Sequence, residues 1–380
     1  MTIDNRKVPV DLIALFIILS PLEHIARIEQ IGYVFLIGVL LLLFSKRLTL
    51  KCDIKLVLVL FTFHLLAGCV WSPASNAAAS GFTKLVVFLF LILSVQFDYT
   101  EMDYEKIKKA FVLQGGVMVA VCLLFGNFQN NRLWISSSSS SADPNYLSTW
   151  FIFPIIYACD AIVKSNTKKI WKLIIVIELI AMFSCVFLTA SRSGFVTNIL
   201  VVALYVVYRF RDTIRKNPIK ALFLIVVVGG VCVAVTNLIP EYLLQRLSST
   251  HSMGSRGRVW RELLSAMNND WLQSIIGFGD GATIFHNTQG AIYGMGGLVA
   301  HNTFMDVMFN NGLIGIGYFL AIIIKGSLNR LREQKIEIVI GTAGMCMAIF
   351  TLSALTTRPV SFMLLLLLVD INADGNQVKE

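Results

Sequence analysis

The residues able to do chemistry fall in a few short clusters of a 380-residue, otherwise apolar chain. Ser191-Arg192-Ser193-Gly194 lies between two apolar runs with almost no loop. Gly194 permits so tight a turn, and Arg192 is thereby expected at the membrane surface, buried among helices. Arg246, Arg256, Arg258 and Arg261 follow in a longer polar stretch. His301 opens His301-Asn302-Thr303-Phe304, and Asn310-Asn311-Gly312-Leu313-Ile314-Gly315 comes after it. A guanidinium is a planar, permanently charged fork that matches phosphate or carboxylate in a bidentate way. An imidazole at the mouth of an apolar helix titrates near neutral pH and can act as a general base. Together they point to chemistry on an anionic, phosphate-bearing ligand. The plain alternatives are an interfacial anchor for Arg192, salt bridges to Glu241, Glu262, Asp270 and Asp280 for the other arginines, and a capping role for His301.

The elements that must position these residues are membrane helices. Hydrophobic residues make up 56% of the chain and charged residues 14%, with mean hydropathy +0.73. Soluble domains carry about 25% charge, so a soluble enzyme, a disordered tail and a secreted disulfide scaffold are excluded. Apolar runs near 8–22, 31–45, 56–72, 80–97, 109–126, 146–163, 170–190, 193–208, 220–240, 302–324, 336–357 and 359–371 give about 12 spans; the first, second and last are short against the ~20 residues that cross a bilayer. The first is expected to be a retained span, because Glu23 and His24 follow it instead of a small-residue cleavage site. The expected architecture is a single all-α polytopic membrane domain over 1–380. A large extracytoplasmic loop at 241–300 joins spans nine and ten.

The basic residues orient the helices. With the N-terminus in the cytoplasm, 23 of the 32 Lys and Arg fall in inner segments, sixteen of them Lys, as the positive-inside rule requires. Most of the +9 net charge is then a topology signal, and a nucleic-acid partner is not expected. The other nine are Arg27, Lys84, Arg132, Arg192, Arg246, Arg256, Arg258, Arg261 and Arg358. Positive charge on the outer side opposes the orientation rule, and here it is almost all Arg, which again points to an anionic ligand. Ordinary snorkelling toward headgroups is the competing explanation.

Within the outer loops, Ser136 to Ser141 reads as flexible linker. Asp143-Pro144-Asn145 then favours a turn that starts a helix. Ser255 is placed to N-cap a helix over 256–268, in which Val259, Leu263 and Met267 recur at helical spacing. Arg258 and Arg261 share a face of it, while Arg256 at its very start can point along the axis, where free amides add to an anion site. Gly277-Phe278-Gly279-Asp280-Gly281 breaks the chain. None of the seven cysteines lies in an outer loop, and no CxxC pair or Walker loop occurs. No acidic pair on the outer face has convincing metal-ligand spacing. His64, Lys84, Glu178 and Asp306 lie in or at the ends of spans, where ionisable groups mark substrate or ion paths.

In order, Asp143-Pro144-Asn145, Ser191-Arg192-Ser193-Gly194, Arg256-Gly257-Arg258-Val259-Trp260, Gly277-Phe278-Gly279, His301-Asn302 and Asn311-Gly312-Leu313-Ile314-Gly315 resemble the O-antigen polymerase and O-antigen ligase superfamily of bacterial surface-polysaccharide assembly. The resemblance covers about 130–320. It implies a C-type glycosyltransferase fold and a glycan donor on undecaprenyl pyrophosphate. It also implies inverting, metal-independent transfer with no cofactor. By motif match His301 corresponds to the catalytic His, and Arg192 and Arg256 to the pyrophosphate ligands. Arg258 is a neighbour that competes with Arg256 for that match, and Arg246 is a looser one.

These expectations describe a multi-pass enzyme of the bacterial cytoplasmic (inner) membrane. Both termini would be cytoplasmic, and the site would face the periplasm or outside. The expected reaction is polymerisation of a lipopolysaccharide-type glycan, the chain moving from its lipid pyrophosphate to a lipid-linked repeat unit. Ligation of the finished polymer to lipid A-core is the alternative, and a lipid-linked glycan transporter a further one. A chain-length regulator and a flippase are the partners such a pathway implies.

Overall fold

The computed structural model describes residues 8–26, 31–44, 53–135, 143–164, 167–216, 251–283 and 300–372. Among them the protein is predominantly helical. Six helices are long and apolar enough to cross a membrane: Val8–Ile25, Ala77–Ser94, Glu101–Phe125, Pro144–Val163, Lys169–Leu188 and Thr303–Arg332. Shorter apolar helices cover Gly32–Leu41, Ile54–Ala67, Ile336–Ile349 and Arg358–Leu368, and Arg192–Arg209 occupies the run at 193–208. The run at 220–240 lies outside the described residues. The chain is thus a polytopic helical membrane protein.

Two small sheets interrupt the all-helical expectation. Gly126–Gln129 and Arg132–Ile135 form an antiparallel hairpin, its turn made by Asn130 and Asn131 at positive φ, the conformation of a two-residue hairpin turn. It precedes the Ser tract, which lies outside the described residues. Asp98–Thr100 pairs in parallel with Asp370–Asn372, bringing the end of the described chain back to the first half of the bundle.

The shortness of the last apolar run has a physical explanation. Every residue from Arg358 to Leu368 is buried. Eleven residues rise only about 16 Å, too little for a bilayer core of ~30 Å. A helix apolar on all sides belongs in the interior, and this one packs between Thr303–Arg332, Ile336–Ile349 and Ala77–Ser94. Lys169–Leu188 is its opposite. Ile170, Trp171, Leu173, Ile177 and Ile180 all point outward, as lipid-facing residues do.

One end of the bundle is held by ion pairs. Lys108 is buried against Asp160 and Glu337, Lys55 pairs with Asp370, and Lys335 with Glu101. Buried Arg330 donates to the carbonyls of Leu367 and Val369. Several of the cations expected on the inner side therefore pin helices together.

Near the other end, Thr303–Arg332 is broken at Gly312, where φ is 65° and ψ −170°. This region of backbone space is essentially open to Gly alone. The Gly277-Phe278-Gly279 segment docks into the break. Phe278 N donates to Phe309 O and Gly279 N to Asn310 O, both at 3.0 Å. The Phe278 and Phe309 rings stack 4.4 Å apart, and a His64 ring nitrogen donates to Asn311 O at 2.7 Å. Carbonyls freed by a broken helix at membrane depth must find partners within the protein, and here they do. His64 is a structural donor. Glu178 packs against Gly115 and Gly116 of the neighbouring helix.

Candidate functional site

The site is assembled from three chain turns. The first carries Arg192. Ala190 sits at φ 48°, and the chain reverses between Leu188 and Arg192 in three residues. Ser191 caps the new helix by accepting from Gly194 N at 3.2 Å. A β-carbon at Gly194 would collide with Ser148 Oγ, so this helix start seats directly on Pro144–Thr149. Asn198 Nδ2 stitches the two by donating to Ser148 O at 3.2 Å and Gly194 O at 2.8 Å.

The second turn is Asp143-Pro144-Asn145, which starts a helix as its residue types foretell. Asp143 Oδ1 accepts from Asn145 N at 2.7 Å, and Pro144 takes the first helical position, where its missing N–H costs nothing. Arg132 on the hairpin clamps the first two turns together. Its Nε donates to Thr189 O at 3.0 Å and its Nη2 to Asn145 Oδ1 at 2.9 Å.

The third turn carries His301, at φ 50°. A non-Gly residue held there stores of order 1–3 kcal/mol of strain, and both flanks are fastened. Ala300 O accepts from Trp260 Nε1 at 2.8 Å. Asn302 caps the following helix, its Oδ1 accepting from Phe304 N and Met305 N at 2.9 and 3.2 Å. Thr303 Oγ1 donates to Leu352 O at 2.6 Å and accepts from Ala354 N at 2.9 Å.

The helix facing these turns runs His251–Asn269. Ser255 is therefore inside it and not its cap, and Arg256 stands in its second turn. The expected anion site of free amides at Arg256 is overturned, because those amides are already within helical turns. The apolar stripe is as expected. Val259, Leu263 and Met267 bury against Ala282, Ala300 and Phe309, and Trp260 meets Phe350 edge-on at 5.5 Å. Seating that stripe fixes the roll of the helix. Arg256, one turn before Trp260, is half-buried, while Arg258 and Arg261 are exposed.

The electrostatics show which groups share the space. His301 is held below the ordinary imidazole value of 6.5 by burial first and by the Arg256 charge second, with Asp143 opposing. Burial also lowers Arg256, Arg192 adds repulsion, and Asp143 again opposes. Arg192, Arg256, Asp143 and His301 are thus brought to one place from three chain turns and a helix. Among the described residues named here, two guanidinium groups and one carboxylate share a half-buried setting with an imidazole biased toward its neutral form. Such a place can hold an anion and accept a proton.

The expected residues divide accordingly. Arg192, Arg256 and His301 come together, Arg258 faces away, and Arg246 lies outside the described residues. Three of the nine cations expected on the outer side are spoken for by internal contacts: Arg132 in its clamp, Lys84 in a buried ion pair with Asp280, and Arg358 with Glu23 and over the Tyr33 ring. The outer arginines are therefore not one anion-binding set. Sequence reasoning took Asp143 only as a turn residue and missed its place opposite Arg256. Its position in the first motif of the resemblance was the available signal.

Fold and site define a polytopic helical membrane protein with a cationic, histidine-bearing site at one end of the bundle. Residues 177–320 match the family described as O-antigen ligase. That stretch, which carries Arg192, Arg256 and His301, is similar to the O-antigen ligase family and supports the resemblance to the O-antigen ligase and polymerase superfamily. No curated protein matches the chain.

Proposed function

We propose that this protein is a surface-polysaccharide polymerase whose glycan donor is carried on undecaprenyl pyrophosphate. The supporting observation is the convergence of Arg192, Arg256 and His301. In the proposed step an acceptor hydroxyl oxygen attacks the anomeric carbon of the donor sugar, and the bond from that carbon to the pyrophosphate oxygen breaks. The hydroxyl proton passes to a His301 ring nitrogen. The leaving pyrophosphate, still on its lipid, collects negative charge that Arg192 and Arg256 oppose. Attack opposite the leaving group inverts the anomeric centre. The step needs no cofactor, and the pyrophosphate linkage supplies the driving force.

The description of the matched family favours a second reading, ligation of the finished polymer to lipid A-core. Both use the same donor chemistry and differ in the acceptor. A gel of surface glycans from a strain lacking the gene separates them. Lipid A-core capped with a single repeat, without a ladder, is the expected result. Bare core with polymer stranded on its carrier lipid would establish ligation instead. An unchanged ladder would overturn both for that glycan and favour a transporter.

A further inference from the structure

The short helix Trp271–Ile276 buries none of its residues. Trp271 is 74% exposed, Leu272 48% and Ile275 38%, and no charged side chain occurs from Trp271 to Gly279. A surface helix in water turns its apolar stripe to the core and its polar face outward. Here Gln273 and Ser274 are half-buried, Ser274 Oγ donates inward to Met267 O, and the apolar side chains point away from the protein.

The place of this helix in the fold says what those side chains meet. A β-carbon on Gly312 would strike the Ile275 carbonyl, so the helix ends against the break in Thr303–Arg332. From Thr303 to Gly312 no residue of that long helix is exposed. Beyond the break Leu313, Leu320, Ile324, Leu328 and Leu331 are exposed, one stripe at helical spacing. From Leu313 to Leu331 a helix rises about 27 Å, close to the ~30 Å of a bilayer core. Lys325 lies toward the far end of the stripe, where a long side chain snorkels. The lipid-facing surface of this span therefore begins at Gly312, and Ile275 lies at its edge. A second segment reaches the same level. Trp71 Nε1 donates to Gly277 O at 3.1 Å, and Val70 beside it is 85% exposed. No Asp, Glu, Lys or Arg occurs between Lys55 and Lys84. Tryptophans with apolar neighbours, at the level where a lipid-facing stripe begins, mark a bilayer–water boundary.

We propose that Trp271–Ile276 is an interfacial anchor, its Trp271, Leu272 and Ile275 side chains seated in the bilayer at the boundary of headgroups and acyl chains, beside Val70 and Trp71. Continuity with the stripe that starts at Leu313 assigns the patch to lipid. These few side chains also fall far short of the roughly 20–30 residues a side in a stable protein interface. The anchor sets the height of the candidate site above the membrane. The helix carrying Arg256 ends one residue before it. The Gly277-Phe278-Gly279 segment after it is bonded to Phe309 and Asn310, on the helix that follows His301. This placement does not depend on the transfer reading.

The test uses the full chain, labelled with a fluorinated tryptophan, in nanodiscs of phosphatidylethanolamine and phosphatidylglycerol. Trp271→Phe identifies the Trp271 fluorine resonance by its loss. Trp171, on the lipid-facing Lys169–Leu188, and Trp260, bonded inside the protein, are identified likewise as internal references. Paramagnetic broadening is measured with lipid spin-labelled near the headgroup, with lipid spin-labelled at the chain end, and with a water-soluble gadolinium chelate. The Trp271 line should broaden about threefold more with the first probe than with either other, as a helix seated roughly 5–10 Å deep requires. The double variant Leu272→Glu, Ile275→Glu should transfer that broadening to the gadolinium chelate and leave the Trp260 line unchanged. Strongest broadening by gadolinium in the wild type would place the helix in water. Strongest broadening by the chain-end label would make the segment re-entrant, and no broadening by any probe would put a protein surface over it. Each of these results, or a double variant that broadens as the wild type does, would overturn the proposal.

Discussion

Trp260 Nε1 donates to Ala300 O at 2.8 Å. That bond joins the helix carrying Arg256 to the residue immediately before His301, so the guanidinium and the imidazole are set against each other through one indole. Trp260→Phe keeps an aromatic ring against Phe350 and removes the donor. Transfer should fall about tenfold, with a loss of about 1 kcal/mol in stability. Measuring rate and thermal unfolding on the same preparation checks this, and an unchanged rate would rule out a positioning role for the bond.

The two candidate arginines near the helix start should separate cleanly. Arg256→Gln is expected to lower kcat by roughly a hundredfold or more, the scale of losing one preorganised charge-stabilising group. Exposed Arg258→Gln should stay within about twofold, as surface substitutions do. Arg192→Lys should also be damaging, since it keeps charge but loses the fork. Steady-state kinetics on the three variants decide the matter, and equal losses in Arg256→Gln and Arg258→Gln would refute the assignment by helix roll.

The pH profile carries a sign that can be checked. Burial and Arg256 lower the His301 pKa, so the neutral, proton-accepting form persists below pH 6.5. The acid limb of kcat/KM should therefore lie below 6.5 in the wild type. Arg256→Gln removes repulsion on the imidazolium and should move that limb upward in the residual activity. Asp143→Asn removes attraction and should move it downward. His301→Ala should abolish transfer while leaving the protein inserted. A limb that does not respond to either charge change would mean another group titrates.

Gly312→Ala tests the helix break. A β-carbon there meets the backbone of Ile275 and Gly277 at a φ of 65°. Destabilisation of about 3 kcal/mol or more is expected, from strain plus collision. Thermal unfolding in detergent reports it. A neutral outcome would show that the docked Gly277-Phe278-Gly279 segment yields easily.

Removing divalent cations should leave the rate unchanged, because the proposed leaving-group charge is met by arginine. Excess chelator in the transfer assay checks this. Loss of activity restored by Mg²⁺ or Mn²⁺ would place a metal in the reaction.

The membrane class and the stripe of Val259, Leu263 and Met267 were legible from the sequence. Composition and helical periodicity are local properties that burial merely reads out. Asp143 as a helix start and the reversal at Ser191-Arg192 were equally legible, since a capping carboxylate and a tight turn depend on neighbouring residues alone. Tertiary structure decided the rest. Whether an arginine faces a site or solvent depends on helix roll, which the seating of Trp260 and Val259 settles for Arg256 over Arg258. Whether an outer cation is a ligand or a strut depends on what lies opposite, and Asp280 and Glu23 are remote in sequence from Lys84 and Arg358. The break at Gly312 required its docking partner at Gly277, and the burial of Arg358–Leu368 required the helices around it. Spacing along a chain specifies what each residue can do; only packing between distant segments specifies which residues do it together.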